Sequence, residues 1–336
     1  MRVMVTGANG FIGRALVKQL LEQGTLGRRT IGVLILLDQE LIDFSEDKRL
    51  RRLCGNIGDP TFIRRALADG VDVVFHLACV PGGTAEEQYS LGYQVNLLAS
   101  LELLSQLRCL PVAPILVYAS SISVYGSPVS TRMDEAAGLD PSMSYGAHKQ
   151  MIEVAINDLT RRGDLDGRVL RLPGVVARPH KSSGLCSGFM GDLMRHFAKG
   201  EPYQCPVSPQ ASIWWMSASC CVENLLLAAE LEASKLGRQR VWQLPVLRLS
   251  IAQVIDALAV SFGQDRRELI DFVPDAQLES LFASFPAMKT PLAKSLGFHH
   301  DGTAAALVRN SLNPLSSARR TRVSETISRV TTDEIK

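Results

Sequence analysis

A tyrosine and a lysine stand four residues apart in Ser144-Tyr145-Gly146-Ala147-His148-Lys149, at the start of an amphipathic segment that continues through Ile152 and Ile156. On a helix this spacing puts both side chains on one face. A phenol with an ordinary pKa of about 10 is a poor base at neutral pH, but an adjacent ammonium favours the phenolate. The pair is therefore suited to taking a proton from a hydroxyl group. Upstream, Tyr118-Ala119-Ser120-Ser121-Ile122-Ser123 leaves an apolar run, and a serine hydroxyl there can hold the reacting oxygen. Serines after a strand are ordinarily turn residues, and Tyr-x-x-x-Lys is common. The two patterns gain meaning only beside a third.

The third is Thr6-Gly7-Ala8-Asn9-Gly10-Phe11-Ile12-Gly13, which follows one short aliphatic run, Val3–Thr6, and opens an amphipathic segment. Gly7 permits a tight turn, Gly10 lets backbone amides approach a pyrophosphate, and Gly13 lets helix and strand pack closely. Negative phosphates then face the positive end of a helix. The next aliphatic run ends at Asp38, twenty-five residues beyond Gly13. A carboxylate there accepts the ribose hydroxyls of an adenosine and repels a 2′-phosphate. Gln39, Glu40 and Leu41 supply no neighbouring cation, so the expected cofactor is NAD rather than NADP.

These groups need a scaffold that brings residues 7, 38, 121, 145 and 149 together. The runs Val3–Thr6, Ile31–Leu37, Val71–Leu77, Ile115–Tyr118 and Val169–Leu172 alternate with helical patterns. That alternation predicts an α/β fold, a Rossmann-type doubly wound parallel sheet with helices on both faces. In the first helix Phe11, Ile12, Ala15, Leu16, Leu20 and Leu21 form one stripe before Gly24, and that stripe must pack on the sheet. Beyond Leu172 the pattern loosens into the Pro- and Gly-containing stretch 173–212, and regular elements then resume. We expect a dinucleotide-binding unit over 1–178 and 213–245, and a smaller interleaved α/β substrate unit over 179–212 and 246–312. Residues 313–336 lack apolar periodicity and are expected to form a frayed tail.

Composition narrows the function. The 336 residues are 46% hydrophobic and 21% charged, which excludes disorder as the main state. The formal charge of +2, from 36 basic and 34 acidic side chains, gives no electrostatic case for nucleic acid or an anionic membrane. The longest charge-free stretches, 109–131 and 202–222, are broken by Pro, Ser or Gly and do not read as membrane spans. Met1 leads within six residues into the glycine-rich turn, so a cytoplasmic enzyme with a small-molecule partner is expected. The seven cysteines are scattered, with no Cys-x-x-Cys pair, which argues against a metal cage or a disulfide framework. Cys220 and Cys221 are expected to be small buried residues.

Together the glycine motif, Ser121, Tyr145 and Lys149 resemble the extended short-chain dehydrogenase/reductase family, the group that includes nucleotide-sugar epimerases and dehydratases. The resemblance covers about residues 1 to 312. It implies Tyr145 as general base, Lys149 as its activator and ribose ligand, and Ser121, with Ser123 nearby, as the hydroxyls at the substrate. It further implies that His76-Leu77-Ala78 line the cofactor, that Asn96 supports the site, and that Pro173 to Val175 approach the nicotinamide. At Cys54-Gly55-Asn56-Ile57 an adenine-contacting Asp is replaced by Asn56, with Ile57 beside it. Where nucleotide-sugar enzymes carry an Arg-Asp motif, this chain reads Ser212-Ile213-Trp214-Trp215-Met216-Ser217-Ala218-Ser219.

The segments Arg171–Pro179, Ser183–Phe189 and Ile213–Val222, with Pro274-Asp275-Ala276 and Leu296-Gly297-Phe298, are instead similar to those members that oxidise the 2-hydroxyl of a four-carbon sugar acid, D-erythronate. Such a substrate carries a carboxylate, for which Arg178 and Lys181 are the candidate partners. His180 between them reads as a loop residue, and Trp214 and Trp215 as pocket or core. A nucleotide-sugar 4-epimerase or dehydratase, or a non-catalytic cofactor-sensing protein, are the other readings. The family's pairing through the helices over 86–107 and 144–161 implies a homodimer.

Overall fold

The computed structural model describes residues 1–127, 132–177, 187–282 and 284–312. Seven parallel strands form the main sheet: β1 (Arg2–Thr6), β2 (Val33–Asp38), β3 (Leu50–Cys54), β4 (Val73–His76), β5 (Ile115–Ser121), β6 (Asp166–Leu172) and β9 (Val241–Gln243). Their order is β9-β6-β5-β4-β1-β2-β3. The chain therefore runs outward from β1 to β3 and returns to the other side of β1 at β4. That reversal between β1 and β4 is where an open parallel sheet accepts a ligand, beyond the carboxyl ends of its strands.

Helix α1 (Phe11–Gln23) starts at Gly10, which offers no capping side chain, and stops at Gly24 in the left-handed conformation, φ 66°. Its Leu16, Val17 and Leu20 are buried against one face of the sheet, joined there by α6 (Ala218–Glu230). The other face packs against α2 (Pro60–Leu67), α3 (Ala99–Leu107) and α4 (Ser144–Arg162) through Ile63, Leu103, Leu104, Ile152 and Ile156. Two apolar layers thus enclose strands that are apolar on both sides, as the alternating pattern predicts. Edge strand β3 was not among the expected runs. Its sequence, LRRLC, carries two arginines and has a neighbour on one side only.

A smaller three-stranded sheet joins β7 (Gly174–Val176), β8 (Ser212–Ser217) and β10 (Leu247–Ser250) in that order, with β7 parallel and β10 antiparallel to β8. Around it pack α5 (Gly188–Lys199), α7 (Ile251–Phe262) and α8 (Ala304–Leu312), with a separate apolar cluster. Trp214 and Trp215 lie fully inside that cluster, and their indole N–H groups donate to Pro286 O at 2.7 Å and Leu249 O at 3.1 Å. Both are core residues that lie beside the pocket instead of lining it. Cys220 and Cys221 are buried on α6, where burial pushes the Cys220 thiol up.

The two lobes share elements. β7 and most of β8 fall within the expected dinucleotide unit, yet they pair in the smaller sheet. Ala293 and Phe298 fall within the expected substrate unit, yet they pack in the core beneath Trp242. The join is at Ser217. Its hydroxyl caps α6 by accepting Cys220 N–H at 3.1 Å and donates to the buried Asp301 carboxylate at 2.6 Å. The expected tail over 313–336 lies outside the described residues.

Candidate active site

The glycine loop is shaped by contacts that exclude side chains. Gly7 adopts φ +69°, and a Cβ there would stand 2.7 Å from Ala78 N. A Cβ on Gly13 would overlap the Gly7 carbonyl oxygen. The N-terminus of α1 therefore opens onto bare backbone, with Asn9 and Gly10 at the surface of a cavity. Asp38 closes one side. Its Oδ2 accepts Asn9 N–H at 2.8 Å and its Oδ1 accepts Gln39 N–H at 2.8 Å, which anchors the carboxylate at the end of β2. Arg14 secures the same loop from α1. It donates to the side-chain and backbone oxygens of Asn9 and to Ile42 O, and lies 5.0 Å from the Phe44 ring centroid.

Across the switch point, a buried hydrogen-bond chain holds the β4 end. Thr6 Oγ1 accepts Leu77 N–H at 3.2 Å and Ala78 N–H at 3.3 Å, and lies 2.7 Å from His76 Nδ1. Its own proton thus goes to Nδ1, which makes Nε2 the donor to Ser100 Oγ at 3.0 Å; Ser100 in turn donates to Asn96 O. Burial pushes the His76 imidazole down to about 3, reinforced by the Lys149 charge. Leu77 and Ala78 face the cavity as the family resemblance implies, but His76 does not. It is 1% exposed and turned into the core, because successive strand residues alternate sides. Asn96 also stands behind the cavity wall, where its side-chain amide pairs with both Val80 N–H and Val80 O at 2.7 and 3.0 Å.

β5 delivers the serines and α4 the tyrosine and lysine. Ser121 Oγ accepts Ser123 N–H and donates to Ser123 Oγ, each at 3.1 Å. Lys149 is 2% exposed, and its Nζ donates to Ala119 O at 2.7 Å. The ammonium lies 4.6 Å from the Tyr118 ring centroid and 5.5 Å from that of Tyr145. Burial lowers the Lys149 pKa, and the neighbouring Cys79 and Glu153 side chains oppose the shift.

One cavity of about 610 Å³ joins these parts, within the range usual for ligand sites. Its wall includes Gly7, Asn9, Gly10, Phe11, Ile12, Gly13, Asp38, Ile57, Leu77 and Ala78 from the dinucleotide set. Ser121, Ser123, Tyr145, Lys149, Pro173 and Val175 follow along the same wall. Asn56 is not brought to it; that side chain is spent on its own turn, accepting Gly58 N–H at 2.9 Å. Arg178, His180 and Lys181 lie outside the described residues. The far end is walled by residues that no motif announces: Met190, Ile213, Phe282 and Phe285. Their only sequence signal is apolarity, which core residues share.

The bare glycine backbone at a helix N-terminus, with an anchored carboxylate at the second strand, fits a dinucleotide. The chain belongs to the NAD dependent epimerase/dehydratase family, whose profile matches residues 3–237, and its cofactor is NAD. Among individual proteins, it is 35% identical to the D-erythronate dehydrogenase of Cupriavidus necator over 314 residues, covering 92% of this chain and 97% of that one. It is 32% identical to the D-erythronate dehydrogenase of Haemophilus influenzae over 303 residues, covering 90% and 95%. Among solved structures, the nucleoside-diphosphate-sugar epimerase from Agrobacterium tumefaciens superposes with a TM-score of 0.85 at 28% identity, covering 92% of each chain. No helix among the described residues is long and apolar enough to cross a membrane.

Proposed function

We propose that this protein is an NAD-dependent dehydrogenase that oxidises the 2-hydroxyl of a small sugar acid, D-erythronate to 2-oxo-tetronate, in the cytoplasm. The observation that carries the reading is the single cavity that runs from the glycine loop and Asp38 to Ser121, Tyr145 and Lys149. Gly7, Gly10 and Gly13 with Asp38 would hold NAD, which when bound accepts the hydride from the carbinol carbon. Ser121 holds the substrate oxygen by hydrogen bonding. Tyr145 takes the hydroxyl proton, and the Lys149 ammonium beside it favours the phenolate that does so. The C–H and O–H bonds of the alcohol break, and a carbonyl forms. Arg178, with a fork that can grip a carboxylate bidentately, is the proposed partner of the acid group, with Lys181 the second choice.

Near-full-length identity to two D-erythronate dehydrogenases supports the sugar-acid reading over a nucleotide sugar. The test is NADH formation with a panel of four- to six-carbon aldonates, in which D-erythronate is expected to be turned over best. Turnover of a UDP-sugar without net NADH, and none of any aldonate, overturns it.

We also propose a homodimer. The helical stretch over 82–107 and α4 together expose Tyr89, Leu91, Leu98, Leu101, Met151 and Val154, an apolar face suited to a second copy of itself. Light scattering at micromolar concentration is expected to give twice the chain mass, and a monomer mass refutes the pairing.

A further inference from the structure

Behind the cavity, one carboxylate on the helix of Tyr145 and Lys149 is bonded to two strands, the one that ends at Ser121 and the one that leads to Pro173. Glu153 sits one helical turn beyond Lys149 on α4 and is 3% exposed. Its Oε1 accepts the hydroxyl proton of Ser120, the residue before Ser121 on β5. Arg171 on β6, 8% exposed, grips it from the other side, with Nε 3.0 Å from Oε1 and Nη2 2.7 Å from Oε2. The remaining arm of that guanidinium, Nη1, donates to Tyr125 Oη at 3.0 Å. Tyr125 ends the short turn Ile122–Tyr125 that follows Ser121, and it packs edge-on against Trp214. Arg171 is two residues before Pro173, which lines the cavity.

Two charges have been taken out of water here, at a desolvation cost that well-packed apolar side chains would avoid. A buried ion pair is weak support for stability, but one hydrogen-bonded to several elements ties their relative placement together. Here those elements are the strand end of Ser121, the helix of Tyr145 and Lys149, and the strand leading to Pro173. Lys149 Nζ is itself held by Ala119 O, so α4 is clamped to β5 twice, once on each side of the same helical turn.

We propose that Glu153 and Arg171, with Ser120 and Tyr125, form a positioning unit that sets the Lys149 ammonium and the Ser121 hydroxyl relative to Tyr145. The inference rests on the Ser121-Tyr145-Lys149 reading above. The groups that face Lys149 are the Tyr118 and Tyr145 rings, the Cys79 thiol, the His76 imidazole and the Glu153 carboxylate. Loosening the clamp weakens the hold of the ammonium on the Tyr145 phenol, and so displaces the pH at which that phenol becomes competent.

The decisive variant is Ser120→Ala/Tyr125→Phe, which removes two hydroxyls and leaves both charges paired. Its kcat is expected to fall about tenfold, with NAD affinity within about threefold and the rising limb of kcat against pH moved upward by roughly half a unit or more. Glu153→Gln/Arg171→Gln, which removes both charges together, is expected to shift the profile in the same direction. Wild-type kcat and an unmoved profile in the first variant, whatever its melting temperature, overturn the inference, as do equal losses of kcat and NAD affinity. Tyr145→Phe is measured alongside. If that variant stays active, the underlying reading of the site has failed, whereas an inactive Tyr145→Phe beside an unaffected Ser120→Ala/Tyr125→Phe defeats the positioning unit alone.

Discussion

The two ends of the cavity are built from different materials. The end over the main sheet is backbone and buried polar groups: glycines that admit no Cβ, a carboxylate held by two amides, and the Thr6-His76-Ser100-Asn96 chain. The end over the smaller sheet presents Met190, Ile213, Phe282 and Phe285, which offer shape and exclude water. Fixed dipoles and charges act on charge that develops during reaction. Apolar walls discriminate by fit, and a methylene is worth only about 1–3 kcal/mol in such a pocket. On the function proposed above, the first end would govern whether chemistry occurs, and the second which molecule undergoes it.

The largest effect that separates the two ends is expected from Tyr145→Phe. Loss of the proposed general base should lower kcat by about 10³-fold while NAD affinity stays within a few-fold, measured by steady-state kinetics and by titration of NAD. Loss of both together would make the tyrosine a structural element and blur the distinction.

A smaller effect comes from pH. His76 is held at about 3 in the fold, against 6.5 for an ordinary imidazole. Its folded form is neutral, so an unfolded chain binds a proton that the native state refuses. Stability is complete above pH 6.5 and declines as the pH falls toward 3. Between pH 7 and 5.5 the loss is about 1 kcal/mol. It should appear in urea melts of the wild type and be reduced in His76→Asn; equal acid sensitivity in both would place the titrating group elsewhere.

The smallest effect belongs to the apolar end. Phe285→Ala should raise KM for the acid by about three- to tenfold and improve relative turnover of longer aldonates, with KM for NAD unchanged. A change in KM for NAD alone would show that Phe285 serves the cofactor and that the apolar end does not select the acid.

Much of the first end was legible in the chain, because backbone requirements select residue types at set spacings. Gly7, Gly10 and Gly13 answer to a turn, a phosphate and a helix contact, and Tyr145 and Lys149 to one helical face. Edge strand β3 was hidden because a strand paired on one side need not be apolar. Asn56 stands in the right segment, but a two-residue turn claims its side chain. The tryptophan pair, equally suited to pocket or core, was resolved only by the partners of its indoles, Pro286 and Leu249.

By itself, then, the sequence determined the alternation that makes a doubly wound sheet, the glycine loop that opens its first helix, the carboxylate that ends its second strand and the pairing of Tyr145 with Lys149 on one helical face, since each is a local pattern with a local physical cause. Tertiary structure decided what local patterns cannot carry. It brought Ser120 and Arg171 onto the Glu153 carboxylate and Tyr125 onto the far arm of Arg171, turned His76 inward, and set Phe282 and Phe285 against a serine more than 150 residues upstream. The reason is that burial and long-range pairing depend on which surfaces meet, and in a sheet of order β9-β6-β5-β4-β1-β2-β3 that is settled by crossovers no single segment encodes.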